Sequence, residues 1–385
     1  MPSITVVDFG RTLSIWTYSS LAVATLGIAP GLETAFRTQL GLSTSQVGLL
    51  FMLELGGMAL ASWPCGLLLE RWGPRWLARA ALAVWSAANL LSIPGLAHHE
   101  WLLACRVVAG IGAGTMMILA LEGAGRGPLA QRALSAVVVA QLATGAALLA
   151  VLPVLITTGG IAAVFLLEAL AGLFALALAP PFDALPPVED AAAPAEVGAR
   201  RRDAWRVVSV TLPFNVAIGA IWSFVAEFAP QDRMPAGRVD DVLSAGTLLG
   251  IAAAATAGLA CRRWSSRSGA AVGVVGLIAG TAMVALWQQV AGFLAGTLLL
   301  SFAWNFTVPF LMILGAPHGT GRSSMRAVNL SFAAGLATGP PAGGWLLQAG
   351  GPIALAAGSA LGFALVLVGL AACRPQSGNG AGFAK

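Results

Sequence analysis

Twelve apolar stretches, most of them close to twenty residues long and separated by short connections, restrict this chain more than any other feature. They cover 13–30, 47–69, 77–96, 101–121, 134–156, 160–179, 207–228, 242–260, 270–287, 290–314, 327–347 and 352–372. About 20 apolar residues in a helix rising 1.5 Å each match the hydrocarbon thickness of a bilayer. Of the 385 residues, 58% are hydrophobic and 10% charged, with a mean hydropathy of +0.84. A soluble domain carries about 25% charged residues and needs them to meet water. The solvent expected here is lipid. The 47 glycines suit helices that approach closely in it.

The net charge of +5 does not indicate nucleic acid, because the cations are scattered between apolar runs rather than gathered on one face. Their placement reports orientation instead. With a cytoplasmic N-terminus, 17 of the 21 Lys and Arg fall on the cytoplasmic side. Arg37, Arg233 and Arg238 fall outside and Arg106 inside a span. The positive-inside rule therefore predicts cytoplasmic termini. The first apolar run continues to Pro30 and reads as a retained span rather than a cleaved leader. Cys65, Cys105, Cys261 and Cys373 are far apart and show no metal or disulfide spacing.

Residues 180–205 are rich in Pro and Ala with mixed charge and read as a cytoplasmic linker. The expected organisation is a six-helix bundle over 1–179, the linker, a second six-helix bundle over 206–373 and a cytoplasmic tail over 374–385. The halves carry traces of one another. Gly66, Arg71, Trp72 and Arg75 match Gly258, Arg263, Trp264 and Arg267 at an offset of 192, and "LATG" at 142–145 recurs 194 positions later. Parallel repeats about the membrane normal are a known transporter architecture.

On these features the chain resembles the major facilitator superfamily. The stretch Gly66-x3-Glu70-Arg71-x-Gly73-x-Arg75 is similar to that family's loop between spans two and three, with Glu70 in place of its usual Asp. In span four, "RVVAGIGAG" from Arg106 through Gly110 and Gly112 to Gly114 resembles the family's R-x3-G-x-G pattern. Span eleven holds "GLATGPPAGG", with Gly335, Gly339, Pro340 and Gly343. The family's proton antiporters carry the GP form in span five, where this chain has only "LATGAALLA". The resemblance implies an all-α fold of twelve transmembrane helices in two pseudo-symmetric six-helix bundles. It implies a loop (Gly66, Glu70, Arg71, Gly73, Arg75) that braces the halves on the cytoplasmic side, and a cavity lined by spans one, four, seven and ten. The second loop has Arg262 where Glu70 aligns, so the brace is expected to be asymmetric.

Ionisable groups inside spans are costly and mark function by default. Glu54 in span two and Arg106 in span four both fall roughly 8–11 Å below one face. At equal depth they could pair. Glu54 is the candidate proton carrier. Arg106 either controls it or holds an anionic substrate group. Glu168 in span six reads as structural, reaching a neighbouring helix or a second protomer. Trp16, Tyr18, Trp222, Phe224, Trp304 and Phe306 are the aromatic candidates for a cavity wall, with Asn305 as a polar one. "GIGAG" lacks the spacing of a dinucleotide loop, and His98-His99-Glu100 has no second ligand group beside it.

The sequence thus predicts a monomeric secondary transporter in a bacterial cytoplasmic (inner) membrane, without cofactor or metal and not an enzyme. It would move a small organic solute by alternating access, driven by a proton or solute gradient. The lean is to an organic anion or zwitterionic metabolite. The alternatives are an exporter of lipophilic compounds and a non-transporting receptor or assembly factor with the same fold.

Overall fold

The structure is a computed structural model that describes residues 6–124, 130–178, 197–230, 232–315 and 322–372. Residues 180–196 of the expected linker and the expected tail lie outside it. The helix of span seven already begins at Val197, inside the stretch read as linker.

Helix is the regular structure throughout, because in lipid every backbone N–H must be paired within its own segment. The chain makes twelve passes. Three continuous helical stretches, Thr44–Gly95, Ala130–Leu178 and Arg322–Ala372, each fold back on themselves and count as two. The reversals sit at Gly73, Gly160 and Gly351, with φ of 73°, 65° and 68°. A side chain would clash with the backbone there, so glycine lets a span return without a loop. Other ends use caps. Ser43 accepts from the backbone of Gln46 while the Gln46 amide oxygen accepts from Ser43, which starts span two. Ser265 does the same for span nine through the Ser268 N–H.

Span one is broken into Val6–Ala22, Ala24–Gly27 and Ala29–Leu40. Pro30 stands at the start of the last segment and supplies no N–H to the turn before it. Gly27 lies against the Cα of Gly145 on span five, so the bend brings two backbones together across the first bundle.

Among the described residues, eight helices are long and apolar enough to cross a membrane by length and composition alone. Their outward faces carry large apolar side chains at high exposure, among them Leu67 (69%), Phe174 (67%) and Leu286 (76%). A continuous surface of that kind is the complement of lipid.

The bundles cohere through small residues. A Cβ on Gly110 would stand 2.0 Å from the carbonyl oxygen of Glu54, and one on Gly114 would stand 2.4 Å from that of Met58. Gly112 meets Ala81 and Trp85 on span three. In the second half, Gly335, Gly339 and Gly343 do the same work between spans eleven and seven, against Leu212, Val216 and Ala220. Pro340 serves differently: its carbonyl lies against Gly48 of span two and helps join the halves.

The spacing motif of span four is therefore a contact surface, and its strength can be measured. Gly110→Ala forces a backbone shift at Glu54 and is expected to cost about 1–3 kcal/mol. Gly56→Ala on the facing helix meets nothing within 4 Å and is expected to be near neutral. Thermal unfolding of the two variants in detergent compares them directly, and equal losses would contradict this packing.

Candidate functional site

The tight crossing of spans two and four sets the first site. Gly110 stands one turn after Arg106 and rests on the backbone of Glu54, which brings the two charged side chains to the same depth. Arg106 is 1% exposed and Glu54 6%. Their closest approach, Nη1 to Oε2, is 3.5 Å. Nη2 of Arg106 donates to Asn89 Oδ1 at 2.9 Å and to the Ser92 hydroxyl, both on span three. The guanidinium carbon lies 4.4 Å from the ring centroid of Phe165 on span six. A buried charge needs partners, and three other spans, two, three and six, supply them.

Glu168 belongs to the same cluster. It lies three residues after Phe165 on the same face of span six and is 3% exposed. The Thr25 hydroxyl, on the short central segment of span one, donates to its Oε1 at 3.1 Å. The neighbouring-helix option is therefore the one observed. A small cleft, with about 10 Å³ of room for water, opens beside this cluster, lined by Ala22, Thr25, Leu26, Phe51, Glu54, Leu55 and Met58. Apart from Glu54 and Thr25 its walls are apolar.

The aromatic candidates divide. Trp222 and Trp304 face one another across spans seven and ten, with ring centroids 5.5 Å apart. Asn305, beside them in sequence, donates from Nδ2 to the Ser301 carbonyl at 2.9 Å, and the amide fills the space over Gly250. Phe306 stacks on Phe302 and Phe310 within the core. Phe224 is completely buried in the core, and Tyr18 is 2% exposed in the core of the first bundle. Trp16 is 38% exposed and not packed into either core.

The two ends of the molecule differ. At the end that carries Gly41, polar contacts join the halves. Arg37 pairs with Glu227 of the second half and, at 3.4 Å, with Glu33 one turn before it. The Thr44 hydroxyl donates to the Gly344 carbonyl at 2.9 Å, and Ser45 hydrogen-bonds to Gln348. Nearer the middle, Ser244 donates to the Ala146 carbonyl at 2.8 Å. A Cβ on Gly31 would reach Asp240 of span eight at 2.7 Å.

At the other end, which carries Gly73, Gly66, Glu70, Arg71 and Arg75 are exposed, and among the described residues none of the three charged side chains forms an ion pair or side-chain hydrogen bond. The worn copy of this loop behaves differently. Arg267 donates to the Ala371 carbonyl at 2.9 Å, and Trp264 packs edge-on to Phe306. Glu33, Glu227 and Asp240 had not been singled out from sequence as part of a site. An acid and a base four apart just past the end of span one were the available signal, but Glu227 lies 190 residues further on.

The sequence from 13 to 325 matches the family model described as Major Facilitator Superfamily. No curated protein matches the chain. Among solved structures, the xylose transporter XylE from E. coli in an inward open conformation is similar at a TM-score of 0.73 and 13% identity, over 93% of this chain and 95% of that one. The nucleoside transporter NupG is similar at a TM-score of 0.68 and 11% identity, over 94% and 98%. A NupG mutant is similar at 0.71 and 11%, over the same shares. At these identities the likeness shows the fold. With twelve helical passes, a buried charge cluster between them and a family match over most of its length, the chain belongs to the major facilitator superfamily of membrane transporters.

Proposed function

We propose that this protein moves a small organic solute across a bacterial inner membrane by alternating access, with Glu54 and Arg106 as the coupling site for a proton gradient. The observation that carries this reading is the unequal state of the two ends. One is tied across the halves at Arg37–Glu227 and Thr44–Gly344, while among the described residues the loop expected to brace the other forms no ion pair or side-chain hydrogen bond. The first tie is a partly exposed ion pair and the second a buried neutral hydrogen bond, and each contributes about 1 kcal/mol. Contacts of that size shift a balance between two states without deciding the fold. If the termini are cytoplasmic, the Gly73 end faces the cytoplasm.

The engagement of Arg106 with Glu54, Asn89, Ser92 and Phe165 favours its coupling role over capture of an anionic substrate. The anion lean from sequence therefore loses its main support. The neutral set Trp222, Trp304 and Asn305 suits a solute with a ring face and hydrogen-bonding groups. An apolar cleft with one carboxylate favours a second reading, export of a lipophilic cation held by Glu54.

Sealed liposomes with an imposed pH gradient test these readings together. The probes are a nucleoside, a pentose, a dicarboxylate and tetraphenylphosphonium. The expected outcome is accumulation of one neutral class, which collapses with the gradient. Glu54→Gln should abolish accumulation but keep exchange of solute for solute. Accumulation of the dicarboxylate would reverse the substrate assignment, efflux of the cation would favour the second reading, and no movement of any probe would favour a receptor or assembly role.

Alternating access has its own check. In a Ser45→Cys/Gln348→Cys variant, a short thiol cross-linker should join the halves and stop flux, with recovery on reduction. Undiminished flux in the cross-linked protein would contradict opening at that end.

A further inference from the structure

The charge cluster of the first bundle contains more acid than base. Glu54 and Glu168 are both buried, and a single guanidinium stands between spans two, four and six. Arg106 is within ion-pair distance of Glu54. Among the described residues Glu168 forms no ion pair, and its one hydrogen bond comes from Thr25.

The unused hydrogen-bonding atoms are informative. Glu168 Oε2 is buried without a hydrogen-bond partner, and so are Nε and Nη1 of Arg106. An acceptor and two donors without partners in one cluster are expensive, since each loses its hydration without a replacement, and the more so where it is charged. They are also complementary. The phenyl ring of Phe165, on the same face of span six as Glu168, lies under the guanidinium, and a flat cation slides across a ring at little cost because the attraction is not tied to one atom pair. The charged groups that face Glu168 from the packed helices are Glu54 on span two and Arg106 on span four; span one offers the uncharged Thr25.

We propose that Glu54 and Glu168 form a two-carboxylate proton site in which Arg106 pairs with one carboxylate while the other holds a proton exchangeable with the cleft beside Thr25. In the state seen here Arg106 faces Glu54, and Glu168 is the protonated partner. When the guanidinium moves to Glu168, that O–H bond breaks and Glu54 becomes the protonated partner, taking up either that proton or one from the cleft in exchange for it. The two carboxylates swap charge and the net charge of the cluster is unchanged. A proton fits this site better than a metal cation because the guanidinium already occupies the electrostatic minimum between the carboxylates. Thr25 and Glu54 both line the cleft, so the exchange route is short.

For its use in transport this inference rests on the coupling reading above, but its test needs no transported solute. The purified full chain in lipid nanodiscs is titrated in a pH series while the infrared carbonyl stretch of protonated carboxyls is followed. A buried-carboxyl band is expected in the wild type and should be absent in Glu168→Gln. In Glu54→Gln the band should titrate at lower pH, because Arg106 is released to Glu168. Where Glu168→Gln does not purify as a single species, Glu168→Asp replaces it, and the band must then move in frequency.

A band that survives Glu168→Gln unchanged, one that does not move in Glu168→Asp, or the lack of any buried-carboxyl band overturns the proposal. A titration unmoved by Glu54→Gln overturns the exchange of Arg106 between carboxylates. Flux in liposomes with no proton site by infrared would sink this inference alone; a proton site without flux would sink the transport reading alone.

Discussion

Arg106 carries a permanent charge at a depth where lipid offers no solvation, and much of the first bundle is arranged around that fact. Span three supplies Asn89 and Ser92, span two Glu54 and span six Phe165. The glycines that follow Arg106 allow span four to lie against span two closely enough for these partners to reach it. Close packing and charge solvation are one constraint here. Without the approach at Gly110, the carboxylate and the guanidinium would sit at the same depth but too far apart to compensate one another.

The second bundle has the same small-residue contacts between spans eleven and seven but, among the described residues, no buried ion pair. Several of its polar groups bond within their own helix, as Asn215 does on the Thr211 carbonyl and Asn305 on that of Ser301, while the Thr211 and Ser331 hydroxyls bond between spans seven and eleven. The halves share a scaffold and divide the chemistry. The first holds ions, and the second offers the paired indoles of Trp222 and Trp304. The joint between them combines polar contacts with close backbone approaches such as Gly48 to Pro340 and an apolar core that draws residues from both halves, among them Phe36, Phe51, Phe214 and Ile221.

Much of the architecture was legible in the chain. Twelve apolar runs, the repeat offset and the Gly66–Arg75 loop identified the fold, and helical rise alone put Glu54 and Arg106 at one depth. Glu168 was less legible. Its place was judged from the usual position of a sixth span, whereas the break of span one around Ala24–Gly27 delivers Thr25 to it. Tyr18 and Phe224 were chosen by span, but their burial depends on which way each helix is rotated, and apolar spans have little amphipathic signal to reveal it. The pairing of Arg37 with Glu227 could not be read at all, since nothing local links residues so far apart.

By itself, then, the sequence determined the solvent, the number of passes, the places where the chain reverses and the depth of each charge. These follow from local quantities: apolar length, helical rise and the conformations that glycine permits. The tertiary structure alone decided which charges meet and where polar contacts tie the halves together. Those depend on helix rotation, on bends of a few residues and on the approach of separate backbones, and each is set by the sum of many contacts across the bundle rather than by any one stretch of chain.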